Sequence, residues 1–344
     1  MKIAIISDAW LPQVNGVVRT LMATKACLEA QGHEICLITP NMFLTFPCPL
    51  YPEIRLSLFA RRKMARLLKN FAPDNIHIAT EGPLGWAARR WCIKHQYRFT
   101  TSYHTRFPEY ISALTGLPAQ WFWPIFKYFH ARASHILVST RSLMRELEAK
   151  GLPHTYLWSR GIDREYFHQD APQPDIYAHL PRPILLYVGR LSAEKNLDAF
   201  LKADVQGTKV LVGDGPMKVI LEKTYPNAVF LGALHGQELA GAYAGADLFV
   251  FPSKTDTFGL VVIEALASGL PVAAYPVTGP QDIMEGRALG EGLALVDAPV
   301  GALHQDLCTA ISLAAQCRRS DAFDFGQKFT WPAATEAFLA SQRL

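Results

Sequence analysis

No stretch of this sequence approaches 18 uninterrupted apolar residues, so no membrane-spanning helix is expected. The opening MKIAIISDAWLP has only a short apolar run before Ser7 and Asp8, too little for a secretory signal, and reads as a first β-strand. Cys27, Cys36, Cys48, Cys92, Cys308 and Cys317 form no CxxC pair and no zinc-like spacing. Scattered thiols of this kind fit free cysteines in a reducing cytoplasm. There is no GxGxxG, so the dinucleotide fingerprint of a nicotinamide dehydrogenase is missing. No DxD stands at a strand end to hold a divalent metal ion.

What remains is an ordinary globular balance: half the residues are hydrophobic and 19% are charged. With 344 residues the chain exceeds what one hydrophobic core usually organises, so two domains are expected. The net charge of +4 conceals an asymmetry, because residues 1–168 carry +10 and residues 169–344 carry −6. A basic half joined to an acidic half suggests that the first half faces something anionic, nucleic acid or anionic lipid.

Short β-branched runs alternate with helical patterns along the first half. Residues 2–7, 33–40, 74–80, 97–104 and 135–140 read as strands, and 17–32 as a helix closed by Gly32. From about 151 to 181 the pattern gives way to a segment rich in Pro, Gly and polar residues, which reads as a connection. Alternation restarts with strands at 183–189, 209–213, 228–232, 247–253 and 270–275. Two doubly wound α/β units follow, each a parallel sheet covered on both faces. We place the first at 1–165 and the second at 166–329, with a final helix over 330–344 packing back on the first.

The sharpest cluster is DTFGLVVIEALASGLPVAA, residues 256–274, in which Asp256 and Glu264 lie eight apart across a glycine turn and a helix start. Helix N-terminal N–H groups can hold phosphate or polarised hydroxyls. Asp256 at the helix entrance could accept hydrogen bonds from sugar hydroxyls, and Glu264 two turns inward could reach a ribose. Taken as an isolated pair, the plainer reading is an N-cap and a solvated helix carboxylate. GRLSAEKN, 189–196, follows a strand and supplies Arg190 and Lys195, two cations around a turn that could grip a diphosphate, or merely a basic surface loop. The glycines of VGDGP, 212–216, read as strand-to-helix turn geometry. In the first half, Asn15 and Gly16 of PQVNGVV open a helix after the first strand, and His104 of SYHTRF ends a strand, where open α/β sheets place ligand-binding residues.

The 256–274 line resembles the acidic-x7-Glu signature of the retaining GT-B glycosyltransferases of family four. Asp256 stands where that family more often has Glu, which shortens the reach by one methylene. GRLSAEKN, VGDGP, the Asn15–Gly16 loop and His104 fall where the family would place them. EGPLGWAARRW (81–91) and WSRGIDREYF (158–167) are similar to two branches, the sulfoquinovosyl-diacylglycerol synthases and the bacterial GDP-mannose-dependent or glycolipid-forming transferases. The resemblance spans nearly the whole chain. It implies two facing Rossmann-like domains and a UDP- or GDP-linked sugar donor in an interdomain cleft. It assigns Glu264 to the ribose, Arg190 and Lys195 to the leaving diphosphate in place of a metal, and Asp256 with Thr257, Phe258, Gly259 and Leu260 to the sugar. His104 and the Asn15–Gly16 loop would close over the donor.

For the acceptor side, RRKMARLLKN (61–70) sets Arg61, Arg62 and Lys63 beside Met64, Leu67 and Leu68 at helical spacing. Residues 107–130 concentrate aromatic rings, among them Trp121 and Trp123. Rings beside cations suit a membrane interface, although core packing and a solvated basic face account for each residue singly. The combination favours docking on an anionic cytoplasmic leaflet and a lipid acceptor such as diacylglycerol or a glycolipid, with no nucleic acid. The competing readings are GDP-mannose-dependent transfer to a soluble or polysaccharide-precursor acceptor and a GT-B sugar-nucleotide epimerase.

Overall fold

The computed structural model describes residues 1–11, 15–48, 51–289 and 298–343, with the backbone alone at 51–54, 110, 113 and 114. Pro12, Gln13 and Val14 of the PQVNGVV loop lie outside the described residues. The chain divides into two units, Met1–Ser159 with Trp331–Leu344, and Arg160–Thr330.

Among the described residues, the first unit holds strands β1 (Lys2–Ile6), β2 (Glu34–Ile38), β3 (Thr45–Cys48), β4 (Tyr51–Ser57), β5 (Asn75–Ile78), β6 (Phe99–Ser102), β7 (Ile136–Val138) and β8 (Thr155–Leu157). Its helices are α1 (Gly16–Ala30), α2 (Ala60–Phe71), α3 (Pro83–His95), α4 (Phe107–Thr115), α5 (Trp123–His130) and α6 (Arg141–Ala149). Six strands pair in the order β2-β1-β5-β6-β7-β8, all parallel. The apolar run of β1 explains its central place, since Ile3, Ala4, Ile5 and Ile6 are fully buried between helical layers. The antiparallel β3–β4 hairpin is an addition that the strand–helix alternation did not signal.

The second unit holds β9 (Ile184–Val188), β10 (Thr208–Val212), β11 (Val229–Gly232), β12 (Leu248–Phe251), β13 (Val272–Ala274) and β14 (Gly301–Leu303). Its helices are α7 (Leu197–Lys202), α8 (Lys218–Thr224), α9 (Gly236–Gly245), α10 (Leu260–Ala267), α11 (Thr278–Met284), α12 (Leu307–Ala314) and α13 (Arg319–Gly326). The strand order β11-β10-β9-β12-β13-β14 is that of a doubly wound dinucleotide-type sheet. All five residues of β9 are buried, and each large side chain removed from water there contributes about 1.5–3 kcal/mol.

The last helix, α14 (Trp331–Arg343), belongs to the first unit. Phe338 and Leu339 pack with Ile3, Ile5, Leu21, Leu28 and Trp158, and the Gln342 amide donates to Thr100 Oγ1 at 2.9 Å. His77, fully buried beneath the same helix, bonds Thr100 at 2.8 Å and Ser102 at 2.9 Å.

Candidate functional site

In an open α/β sheet, ligands bind outside the carboxyl ends of the strands where the strand order reverses. In the second unit that point lies between β9 and β12. After β9 the chain turns at Gly189, and the Tyr187 hydroxyl donates to the Arg190 carbonyl at 3.0 Å. The Leu191 amide donates to the Asp214 carbonyl at 2.9 Å, joining this loop to the one after β10. Gly213 makes that approach possible, since a Cβ there would sit 1.9 Å from the Gly189 carbonyl oxygen. The glycines of VGDGP are therefore packing devices. Asn196 follows in the left-handed region and its Nδ2 donates to the Pro252 carbonyl at 3.1 Å, fastening the loop after β9 to the loop after β12.

That fastening brings Lys195 to Asp256: Nζ and Oδ1 are 2.6 Å apart, with the two side chains 21% and 24% exposed. The other Asp256 oxygen, Oδ2, is buried and has no hydrogen-bond partner among the described residues. Thr257, Phe258 and Gly259 then lead into α10, and Gly259 adopts φ of 97°, a conformation that L side chains resist. Phe258 is buried, with the Arg160 guanidinium 5.9 Å from its ring centroid. Arg160 is itself buried, and burial pulls its pKa down to about 9.

Glu264 lies about one turn into α10 and is 2% exposed, so it is a buried carboxylate and not a solvated one. Burying a carboxylate is costly unless donors meet it. The Tyr243 hydroxyl donates to its Oε2 at 3.0 Å. Arg190 stands exposed on the loop after β9, and Leu260 begins α10. The structure thus gathers Lys195 and Asp256 directly and sets Thr257 to Leu260 and Glu264 along the same turn and helix.

The first unit has its own switch point, between β1 and β5. Asp8, just past β1, is buried and accepts from the Leu84 amide at 2.8 Å, the Gly85 amide at 3.2 Å and the Thr80 hydroxyl at 3.0 Å. Burial nevertheless pushes its carboxyl up to about 6. Next to it Glu81 pairs with buried His130 at 3.2 Å, and His130 bonds Thr101 at 2.9 Å. The sequence reading passed over Asp8, Glu81, His130 and Tyr243. A signal existed for Asp8, a carboxylate two residues past the apolar run of β1, but the others depend on tertiary contacts. Asn15 caps α1, its Oδ1 accepting from the Val18 amide at 3.0 Å, and Gly16 is exposed at the first helical position. His104 lies two residues past β6, half-buried, its ring 5.7 Å from that of Trp158.

The proposed membrane residues separate into two groups. Arg61, Arg62 and Lys63 are exposed on α2, while Met64 and Leu68 beneath them are fully buried. Lys63 also donates to the Met42 carbonyl and lies 5.4 Å from the Phe43 ring centroid. Trp121 is 61% exposed. Trp123 corrects the sequence reading: it is 8% exposed, stacked on Tyr103 with Lys150 3.9 Å from its ring centroid, and so is a core residue. Among the described residues the exposed rings of this region are Trp121 and Tyr128. Among the described residues no helix is long and apolar enough to cross a membrane.

Comparison with known proteins bears on the family and the fold. Residues 14–166 match the family described as Glycosyltransferase Family 4, and residues 182–312 match Glycosyl transferases group 1. A GDP-mannose-dependent alpha-mannosyltransferase of Mycobacterium tuberculosis is 32% identical over 91% of this chain and 87% of its own length. The sulfoquinovosyl transferase SQD2 of Arabidopsis thaliana is 34% identical over 75% of this chain and 56% of its own. An alpha-monoglucosyldiacylglycerol synthase of Streptococcus pneumoniae is 27% identical over 80% and 71%. Among solved structures, sucrose-phosphate synthase from Thermosynechococcus elongatus superposes with a TM-score of 0.74 at 22% identity, covering 99% of this chain and 98% of that one. The chain belongs to glycosyltransferase family four and is a glycosyltransferase of GT-B architecture.

Proposed function

We propose that this enzyme transfers a hexose-type sugar, with retention of anomeric configuration, from a nucleoside-diphosphate sugar to a membrane lipid such as diacylglycerol or a glycolipid. The observation that carries the donor half is the Lys195–Asp256 pair at the mouth of α10 with Glu264 buried further along the same helix. The second unit is then the nucleotide-sugar-binding one. Glu264 takes the ribose, Arg190 and Lys195 the diphosphate, and Asp256 with Thr257, Phe258, Gly259 and Leu260 the sugar. As the bond between the sugar and the diphosphate breaks, negative charge grows on the diphosphate, and the cations of Arg190 and Lys195 are assigned to answer it without a metal ion. His104 and the Asn15–Gly16 turn are assigned to the donor sugar and its phosphates.

The first unit is assigned to the acceptor. Exposed Trp121 and Tyr128, with the cations of α2, suit a peripheral seat on the cytoplasmic leaflet, rings and charges at headgroup level. A relative named as a glucosyldiacylglycerol synthase supports a lipid acceptor. GDP-mannose is the second reading of the donor, favoured by the relative from Mycobacterium tuberculosis. The test is to incubate enzyme, α-linked UDP- and GDP-hexoses and diacylglycerol in anionic vesicles, then read the anomeric proton of the product by NMR. An α-glycolipid supports the proposal. A β-product overturns retention, and turnover of the donor to an epimer with lipid untouched overturns the transferase reading.

A further inference from the structure

Glu264 raises a question that its assignment to the ribose leaves open: what fixes the direction of a carboxylate on a helix whose other buried residues are apolar. Residues Val262, Ile263, Ala265, Leu266 and Ala267 of α10 are all buried and apolar. A carboxylate in such surroundings turns toward whatever donor is at hand, and its aim is only as good as that donor's position. Tyr243 on α9 is fully buried and supplies one, its hydroxyl 3.0 Å from Oε2. The phenol ring is held in turn by two others, with Phe167 edge-on at 5.7 Å and Phe249 tilted at 5.7 Å between centroids. Rings from α9, β12 and the segment before β9 thus back the hydroxyl that meets one oxygen of the carboxylate.

We propose that Tyr243 is a positioning residue for the donor: its hydroxyl holds Oε2 of Glu264 so that the carboxylate is set to receive the ribose hydroxyls. The inference rests on the assignment of Glu264 to the ribose. A Phe at position 243 keeps the ring packing and removes only the donor, so Tyr243→Phe separates aim from fold.

The experiment is calorimetric titration of wild type, Tyr243→Phe and Glu264→Gln with UDP and GDP, and with the 2′-deoxy and 3′-deoxy forms of whichever binds, beside donor kinetics. Loss of a hydrogen bond to a charged group predicts that Tyr243→Phe weakens the ribonucleotide about tenfold. The deoxy form lacking the contacted hydroxyl should weaken much less, and the kinetic loss should fall on the donor KM more than on kcat. Equal weakening of the ribo and deoxy forms by Tyr243→Phe, while Glu264→Gln still discriminates between them, would overturn the positioning role and leave the ribose assignment standing. A Glu264→Gln enzyme that loses the same factor on ribo and deoxy nucleotides would overturn the ribose assignment itself, and the role of Tyr243 with it.

Discussion

Lys195→Ala should do more damage than the loss of one cation. In the native site Nζ neutralises Asp256 at 2.6 Å, and the other Asp256 oxygen already has no partner among the described residues. Deleting Lys195 therefore removes the charge assigned to the leaving diphosphate and also leaves the Asp256 carboxylate unpaired. The first effect should cost at least about 100-fold in kcat, the size found when one transition-state donor is removed from a preorganised site. The second is a repulsion between charges roughly 5 Å apart. At an effective dielectric constant near 40, suitable for groups about a quarter exposed, it costs about 1.5 kcal/mol, or roughly tenfold in nucleotide affinity. Arg190→Ala should share the first loss without the second. The assay is calorimetry with UDP and GDP together with single-turnover kinetics on Lys195→Ala, Arg190→Ala and Lys195→Ala/Asp256→Asn. The double variant should recover the tenfold in binding without recovering kcat. If it binds nucleotide no better than Lys195→Ala, the carboxylate is not facing the diphosphate and the reasoning fails.

Activity should persist in EDTA, because fixed cations are assigned the work of a metal; complete loss restored by magnesium or manganese would refute that. Trp121→Ala and the Arg61, Arg62, Lys63 triple Ala variant should lower binding to anionic vesicles, more so at low salt, in a sedimentation assay. Trp123→Ala should instead destabilise the fold by about 3–5 kcal/mol in a denaturant titration, as truncation of a buried Trp does. Asp8 gives a pH signature. Its folded pKa of about 6 lies above the ordinary 3.8, so the native state holds the proton more tightly and Asp8 subtracts stability as pH rises through that window. Wild type should lose about 2 kcal/mol relative to Asp8→Asn between roughly pH 4.5 and 7.5 in urea unfolding, and a constant difference would count against it.

Much of the architecture was readable because buried parallel strands are written as continuous apolar runs: β1, β9 and β12 stand out on that ground alone. Strands β8 and β14 did not, since three residues beside Pro and polar neighbours carry too little pattern. The residues from 160 that read as a plain connection include Ile162 and Phe167, which enter the core of the second unit. The aromatic stretch was legible only in part. Trp123, Phe126 and Phe129 recur at helical spacing and face the core, whereas Trp121, Ile125 and Tyr128 form the outward stripe. Weighing the rings together, and not by period, placed Trp123 on the wrong side. In the site, Asp256 and Glu264 stood out through the resemblance of the 256–274 line to the family signature, since spacing alone left an N-cap and a solvated carboxylate as the plainer reading. Their partners did not, because Tyr243 reaches Glu264 from a different helix and Lys195 meets Asp256 only where the loops after β9 and β12 come together.

The measurement that tests the central claim most directly is a donor-by-acceptor screen read by mass spectrometry. UDP- and GDP-sugars would be offered against diacylglycerol and glycolipid in anionic vesicles and, in parallel, against soluble sugars and glycosides. The account predicts one nucleotide sugar that adds a single hexose mass to a lipid, with the soluble acceptors at least about tenfold poorer. Glycosylation of the soluble acceptors with the lipids unchanged would contradict it.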